Sequence, residues 1–186
     1  MNEIVFATFP SLQTKRLELV RHNKKHASDM FALRTDDEVM QFLDTHPPNN
    51  IKDIENKIQE NISNFDDRIG INWIIKMKNA EEAIGYIGIW RIDKQNNRGE
   101  IGYALKKEYW NKGIATEATI KVINFGFSKM QLHTIMANTN PKNLASQALL
   151  KKLGFIQEAY FRQDYYFNGK YLDSAIYGLI KEDWEK

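Results

Sequence analysis

The sequence predicts an α+β fold: one domain over residues 1–186, with a central mixed, mostly antiparallel twisted sheet of about seven strands and about four helices. Three observations lead there. Strand-like runs separated by turn residues fill 71–107, strands and helices alternate after residue 112, and Asn168-Gly169 marks a closing hairpin. The predicted order is β-α-α-β-β-β-α-β-α-β-β, with residues 1–13 as an N-terminal extension. A chain of 186 residues is ample for one core and short for two.

Each element has its own signal. RLELVR (16–21) alternates Leu17 and Leu19 with polar residues, as a half-buried strand does. KKHASDMFALRTDDEVMQFL (24–43) carries helical spacing through Ala27, Met30, Phe31 and Leu33, and Pro47-Pro48 ends that segment. Ile51, Ile54, Ile58 and Ile62 repeat along one face of a second, amphipathic helix. INWIIKM (71–77), AIGYIGIWRI (83–92) and RGEIGYALKK (98–107) form the meander, joined by KNAEE and DKQNN. KGIATEATIKVINFGFSKM (112–130) reads as a helix with Ala115, Thr119, Val122, Ile123 and Phe127 on one side. LHTIMANT (132–139) reads as a strand. The next helix starts at Asn143, an N-cap after Pro141, and stops at Gly154. Two strands, about 155–163 and 171–180, close the chain. Both helix–strand crossovers of the second half imply local parallel pairing.

Composition narrows the chemistry. A net charge of +2 with mixed signs does not provide the basic face that nucleic acid requires. The absence of cysteine excludes disulfides, thiolate catalysis and cysteine-held metals. His22, His26, His46 and His133 form no metal pattern; Lys24 and Lys25 between the first two favour a solvated surface. The apolar run at 4–9 has neither a basic start nor a cleavage signature, and no run approaches the roughly 18 residues of a membrane span. These features lead to the expectation of a cytoplasmic location.

YWNKGIATEA (109–118) raises a further question, because a glycine and small residues stand where a helix begins. The first N–H groups of a helix lack intrahelical partners, and the aligned dipoles make that end positive. A glycine lets an anion approach the backbone of Asn111, Lys112, Gly113, Ile114, Ala115 and Thr116. A phosphate-bearing ligand is one reading and a plain helix start is the other. The nucleotide loop GxxxxGK[ST] is missing, and the glycines of GYIGIW sit inside a strand, so no dinucleotide fingerprint is present.

GEIGYALKKEYWNKGIATEA, followed by NPKNLASQALLKKLGF, resembles the GCN5-related N-acetyltransferase (GNAT) superfamily, and within it the ribosomal-protein (RimJ/RimL-type) branch. The likeness runs from about Thr14 to the closing hairpin. The signature [QR]-x-x-G-x-[GA] falls on Trp110 to Ala115, with Trp110 replacing the expected Gln or Arg. The resemblance implies acetyl-CoA as co-substrate and a primary amine as acceptor, with no metal, nucleic-acid or membrane partner; a homodimer is compatible with it. It also implies a bulge in the strand before the turn, which opens a gap for the pantetheine arm. Carried over, Tyr103, Ala104 and Leu105 would offer backbone groups to that arm, and Asn143 would bond to it. The N–H groups of Asn111 to Thr116 would hold the pyrophosphate.

Glu100 is the candidate base, on the strand expected to hold the cofactor and on the same face as Gly102 and Ala104, which would leave room for substrate. The competing reading is a solvated glutamate near Arg98. Ser146 is the candidate donor to the thiol; many superfamily members place a tyrosine where this chain has Leu150. Glu117 is expected to stabilise its helix rather than to react. Lys112, Lys142 and Lys152 could meet phosphates or simply be solvated. Trp73, Trp90, Tyr165 and Tyr166 are candidates for the acceptor pocket, with residues 44–48 beside it. The acceptor is read as a protein N-terminal amine, with a small amine or a silent acyl-CoA sensor as alternatives.

Overall fold

The computed structural model describes residues 2–185. Eight strands form one sheet: β1 (Leu12–Gln13), β2 (Leu17–Arg21), β3 (Ile71–Met77), β4 (Ala83–Asp93), β5 (Arg98–Leu105), β6 (Thr134–Thr139), β7 (Ile156–Phe167) and β8 (Lys170–Ile180). Six α-helices accompany them: α1 (Ala27–Thr35), α2 (Asp37–Met40), α3 (Ile51–Asp66), α4 (Ile114–Ser128), α5 (Leu144–Lys152) and α6 (Lys181–Trp184). The expected α+β class with a mixed, mostly antiparallel sheet is what forms. The added elements are short: β1, α2 and α6.

The single helix expected before Pro47 is two. Asp36 leaves the helical backbone (φ −79°, ψ 117°), and its carboxylate accepts from the N–H groups of Glu38 (2.9 Å) and Val39 (3.2 Å). A cap inside the periodic stretch therefore restarts the chain as α2. Asn50 and Asp53 form a reciprocal capping box that starts α3.

Strand order is β1-β2-β3-β4-β5-β6-β8-β7, and β5–β6 is its parallel pair. The crossover through α4 gives the expected parallel neighbours. The crossover through α5 does not, because β8 inserts between β6 and β7 and pairs antiparallel with both. The Asn168-Gly169 hairpin turn has positive φ at both residues (47° and 78°), as its sequence requires.

Alternation along the strands supplies two cores. One, beneath α4 and α5, contains Leu17, Leu19, Trp73, Ile87, Ile101, Val122 and Tyr177. The other, beneath α1 and α3, contains Met30, Leu33, Ile54, Ile58, Ile74 and Ala104. Each fully buried aliphatic or aromatic side chain contributes about 1.5–3 kcal/mol. Of the N-terminal residues 1–13, Met1 lies outside the described residues. Phe6 is buried against Phe65, with ring centroids 5.3 Å apart. No helix among the described residues is long and apolar enough to cross a membrane.

Candidate active site

The site begins where β5 leaves β6. β5 stays paired with β4 from Glu100↔Trp90 to Leu105↔Gly85, but pairs with β6 only over Arg98–Glu100 against Thr134–Met136. β6 meanwhile continues along β8 to Thr139↔Ala175. The two strands therefore splay apart. Lys106 N–H donates to Ile84 O (2.9 Å), whereas Asn97 O accepts from His133 N–H (2.6 Å). Strand alternation then turns the N–H and C=O of Ile101, Tyr103 and Leu105 toward the gap. Ala104, expected beside them, instead directs its backbone groups to Tyr86 of β4. The carbonyl of Leu105 is also engaged, accepting from Trp110 Nε1 (2.9 Å).

The splay is present without the expected bulge in β5. The register irregularity lies in β4 between Trp90 and Asp93, where Arg91 adopts φ +49°. That conformation accompanies a contact of Arg91 Nη1 with Glu100 Oε2 at 2.9 Å.

Past the open end of β5 the chain turns through Asn111 (φ +57°) and Gly113 (φ +70°) into α4. Gly113 has no side chain to cap the helix, and the intrahelical ladder starts with Glu117 N–H donating to Gly113 O (3.0 Å). The preceding N–H groups, on Ile114, Ala115 and Thr116, have no helical carbonyl to reach. A Cβ on Gly113 would meet only Arg16 Nη2, at 3.5 Å.

Arg16 had no signal in the sequence, because about a hundred residues separate it from the turn it braces. Its Nη1 donates to Lys112 O (2.9 Å), and its Nε to Glu117 Oε2 (2.6 Å). Glu117 Oε1 accepts from Arg16 N–H (2.8 Å) and Thr14 Oγ1 (2.5 Å). Burial pushes the Glu117 carboxyl up, but these bonds outweigh it and hold the group below its ordinary range. Glu117 is thus a brace between α4 and the start of β2.

Facing the gap, α5 is capped by Asn143, whose Oδ1 accepts from Ser146 N–H (3.0 Å). Ser146 Oγ lies 3.1 Å from the hydroxyl of Tyr103. Tyr103 was expected to act through its backbone alone; the reach of its side chain depends on the splay and is invisible in one dimension. Burial raises the Tyr103 phenol above its usual value, and the bond to Ser146 opposes this. Leu150 is 1% exposed and belongs to the core. A cavity of about 460 Å³ is lined on one side by Tyr103, Asn143 and Ser146, and on the other by Trp90, Glu100 and Asp44.

Glu100 is half-buried, with Oε1 accepting from Trp90 Nε1 (3.2 Å) and Oε2 from Arg91. Arg98, the expected neighbour, pairs with Asp93 (3.5 Å). The space over Gly102 is not open to substrate: a Cβ there would lie 2.3 Å from the Trp90 indole. Gly102 is small so that Trp90 can lie flat and reach Glu100. Ala104 is likewise buried in the second core.

A larger cavity of about 1070 Å³ adjoins, sharing Trp90, Arg91, Glu100, Arg34 and Asp44. Residues 44–48 line it, as expected. Trp73 does not: it is fully buried and donates to Pro10 O (2.7 Å). Tyr166 is exposed and packs on Tyr171 (5.2 Å). Tyr165 lines the smaller cavity and its hydroxyl donates to Asp44 Oδ2, while His46 and Phe167 rings lie 4.9 Å apart. These two contacts strap the α2–α3 loop to the β7–β8 hairpin.

The expectation of solvated histidines fails for two of the four. His22 and His26 are 6% and 2% exposed, and the following α1 is tied to the start of β4 by Ala83 N–H donating to Asp29 Oδ2 (2.9 Å). Burial lowers the His22 imidazole to about 4, against an opposing bond with Asn72 Oδ1 (3.1 Å). Among the described residues no cluster could hold a metal.

The residues present fit coenzyme A: a glycine-led helix start for the diphosphate, unpaired strand edge for the amides, and a cavity leading through the sheet. The acetyltransferase (GNAT) domain family matches residues 16–156. The uncharacterized N-acetyltransferase YoaA of Bacillus subtilis (strain 168) is 35% identical over 173 residues, covering 93% of this chain and 98% of that one. RimL, a ribosomal L7/L12 alpha-N-protein acetyltransferase in complex with coenzyme A, superposes with a TM-score of 0.84 at 22% identity, covering 92% and 98%. The microcin C7 self-immunity acetyltransferase MccE, in complex with acetyl-CoA and AMP, gives 0.80 at 24% identity, covering 90% and 93%.

Proposed function

The chain belongs to the GNAT acetyltransferase family and is an acetyl-CoA-dependent N-acetyltransferase; from that premise we propose how its residues divide the work and what kind of amine it accepts. The observation that carries the reading is the cavity at the β5–β6 gap, which brings Tyr103, Asn143 and Ser146 together with Glu100, while the Gly113 turn follows the open end of β5. Acetyl-CoA supplies a thioester whose acetyl group passes to the amine nitrogen. The N–H groups from Asn111 to Thr116 hold its diphosphate, with Lys112 adding charge at the turn. Tyr103 and Leu105 offer N–H groups, and Tyr103 its carbonyl, to the arm. Asn143 keeps its amide N–H₂ for the same arm while its oxygen caps α5.

An amine must be neutral to attack, and a lysine-like amine has a reference pKa near 10.4. Glu100 accepts that proton, directly or through a water. Trp90 and Arg91 use two of the roughly four lone-pair positions on its carboxylate and leave the others free. Ser146 hydrogen-bonds the departing sulfur. Positioning two reactants in one cleft supplies much of the remaining acceleration.

The strap over the cleft favours a compact primary amine over a protein N-terminus, since a polypeptide needs an open groove. The lining mixes Arg34 and Arg91 with Asp44, Glu100 and Asp164, a slight excess of carboxylates that suits a cationic amine. The test is a panel of small amines and N-terminal peptides with acetyl-CoA, read by mass spectrometry, for the natural enzyme and Glu100→Gln. Acetylation of a compact amine, with kcat reduced about 100-fold in the variant and coenzyme A affinity retained, supports the reading. Preference for peptides would shift the acceptor to a protein terminus; an unchanged kcat would remove Glu100 from the chemistry.

A further inference from the structure

The departing sulfur needs a proton, and a serine hydroxyl is a weak acid that supplies one poorly by itself. The phenol of Tyr103 stands 3.1 Å from Ser146 Oγ, and both line the same cavity. Tyr103 reaches it from β5 beyond the last β5–β6 pair, at Glu100↔Met136. Ser146 arrives from α5, where its own N–H is committed to Asn143. The pair therefore meets across the gap that the proposed function gives to the pantetheine arm, and a role for it in the reaction rests on that reading.

We propose that Tyr103 is a positioning residue that donates its phenolic proton to Ser146 Oγ, so that Ser146 presents its own hydroxyl hydrogen to the leaving sulfur. Burial holds the phenol above its reference pKa near 10, yet it remains a much stronger acid than an alkanol and so is the better donor of the two. The reverse orientation would turn the serine hydrogen away from the cavity. When the C–S bond breaks and the N–C bond forms, sulfur takes the Ser146 hydrogen. Ser146 takes that of Tyr103, and the phenolate recovers a proton from water once the product leaves. The amine's proton, released on the Glu100 side, balances the one gained by sulfur. The side chain at Leu150, buried in the core, takes no part.

The test compares the natural enzyme with Tyr103→Phe, Ser146→Ala and the double variant. Two readouts are used: kcat against pH, and equilibrium affinity for coenzyme A relative to desulfo-coenzyme A. Tyr103→Phe is expected to lower kcat about tenfold while leaving the KM for acetyl-CoA unchanged. It should also weaken coenzyme A several-fold more than the desulfo analogue. The double variant should be no slower than Ser146→Ala, as for two groups acting in one chain. Because Tyr103→Phe removes a half-buried bond, a fluorinated tyrosine at position 103 provides a second variant that keeps the fold. Its more acidic phenol should move the alkaline limb of kcat to lower pH. Additive effects of the two substitutions, equal loss of both ligands, or an unmoved alkaline limb would overturn the proposal. Failure of the natural enzyme to bind either ligand would overturn the proposed function itself.

Discussion

At Gly113 the backbone stands at φ +70°, with only the Arg16 guanidinium near the missing Cβ. A side chain there is strained by about 1 kcal/mol and projects into the path proposed for the diphosphate. Gly113→Glu should therefore raise the Kd for coenzyme A at least tenfold, measured by calorimetry, with only a small fall in Tm. His22 makes a second prediction at this scale. Its folded pKa of about 4 lies below the reference near 6.5, so the unfolded chain binds the extra proton first. Stability from this group is complete above about pH 6.5 and is lost as pH falls to about 4, amounting to about 3 kcal/mol. His22→Asn should flatten that part of the pH–stability curve in urea titrations. The positive-φ helix start at Gly113 and the Asn143 cap could be read in the sequence because turn and cap chemistry is local. Arg16, the hydroxyl of Tyr103 and the burial of His22 could not, since each depends on a partner far along the chain.

The start of α4 is held by one carboxylate. Glu117 gathers Thr14, the Arg16 backbone and the Arg16 guanidinium, joining this helix to the first long strand. Glu117→Gln keeps the size but loses the charge-assisted bonds; it should cost about 1–3 kcal/mol, seen as a lower Tm, and weaken coenzyme A by loosening the turn. The elements differ in how plainly they announce themselves. The β3–β5 meander is a series of mostly apolar runs bounded by turn residues, so its pairing was legible. The position of β8 was not. SAIYGLI is buried on both faces, and so belongs inside a sheet, whereas QEAYFRQDYY is mostly exposed and suits an edge. Burial on both faces decided strand order over sequence adjacency.

Across the molecule, the Asp44–Tyr165 bond and the His46–Phe167 contact join the helical layer to the C-terminal hairpin. Tyr165→Phe removes the bond without changing bulk. It should raise the KM for the amine several-fold while the KM for acetyl-CoA stays unchanged, as steady-state kinetics would show. The same hairpin has a wider consequence through β8. The cleft's far wall is β6, and its outer partner β8 follows it by some thirty residues in the chain. During synthesis, then, the Gly113 turn and Glu100 emerge before the strand that keeps their opposite bank in place. The nascent chain completes its cleft only once β8 has emerged, and a truncation that removes β8 would leave the gap without its far support.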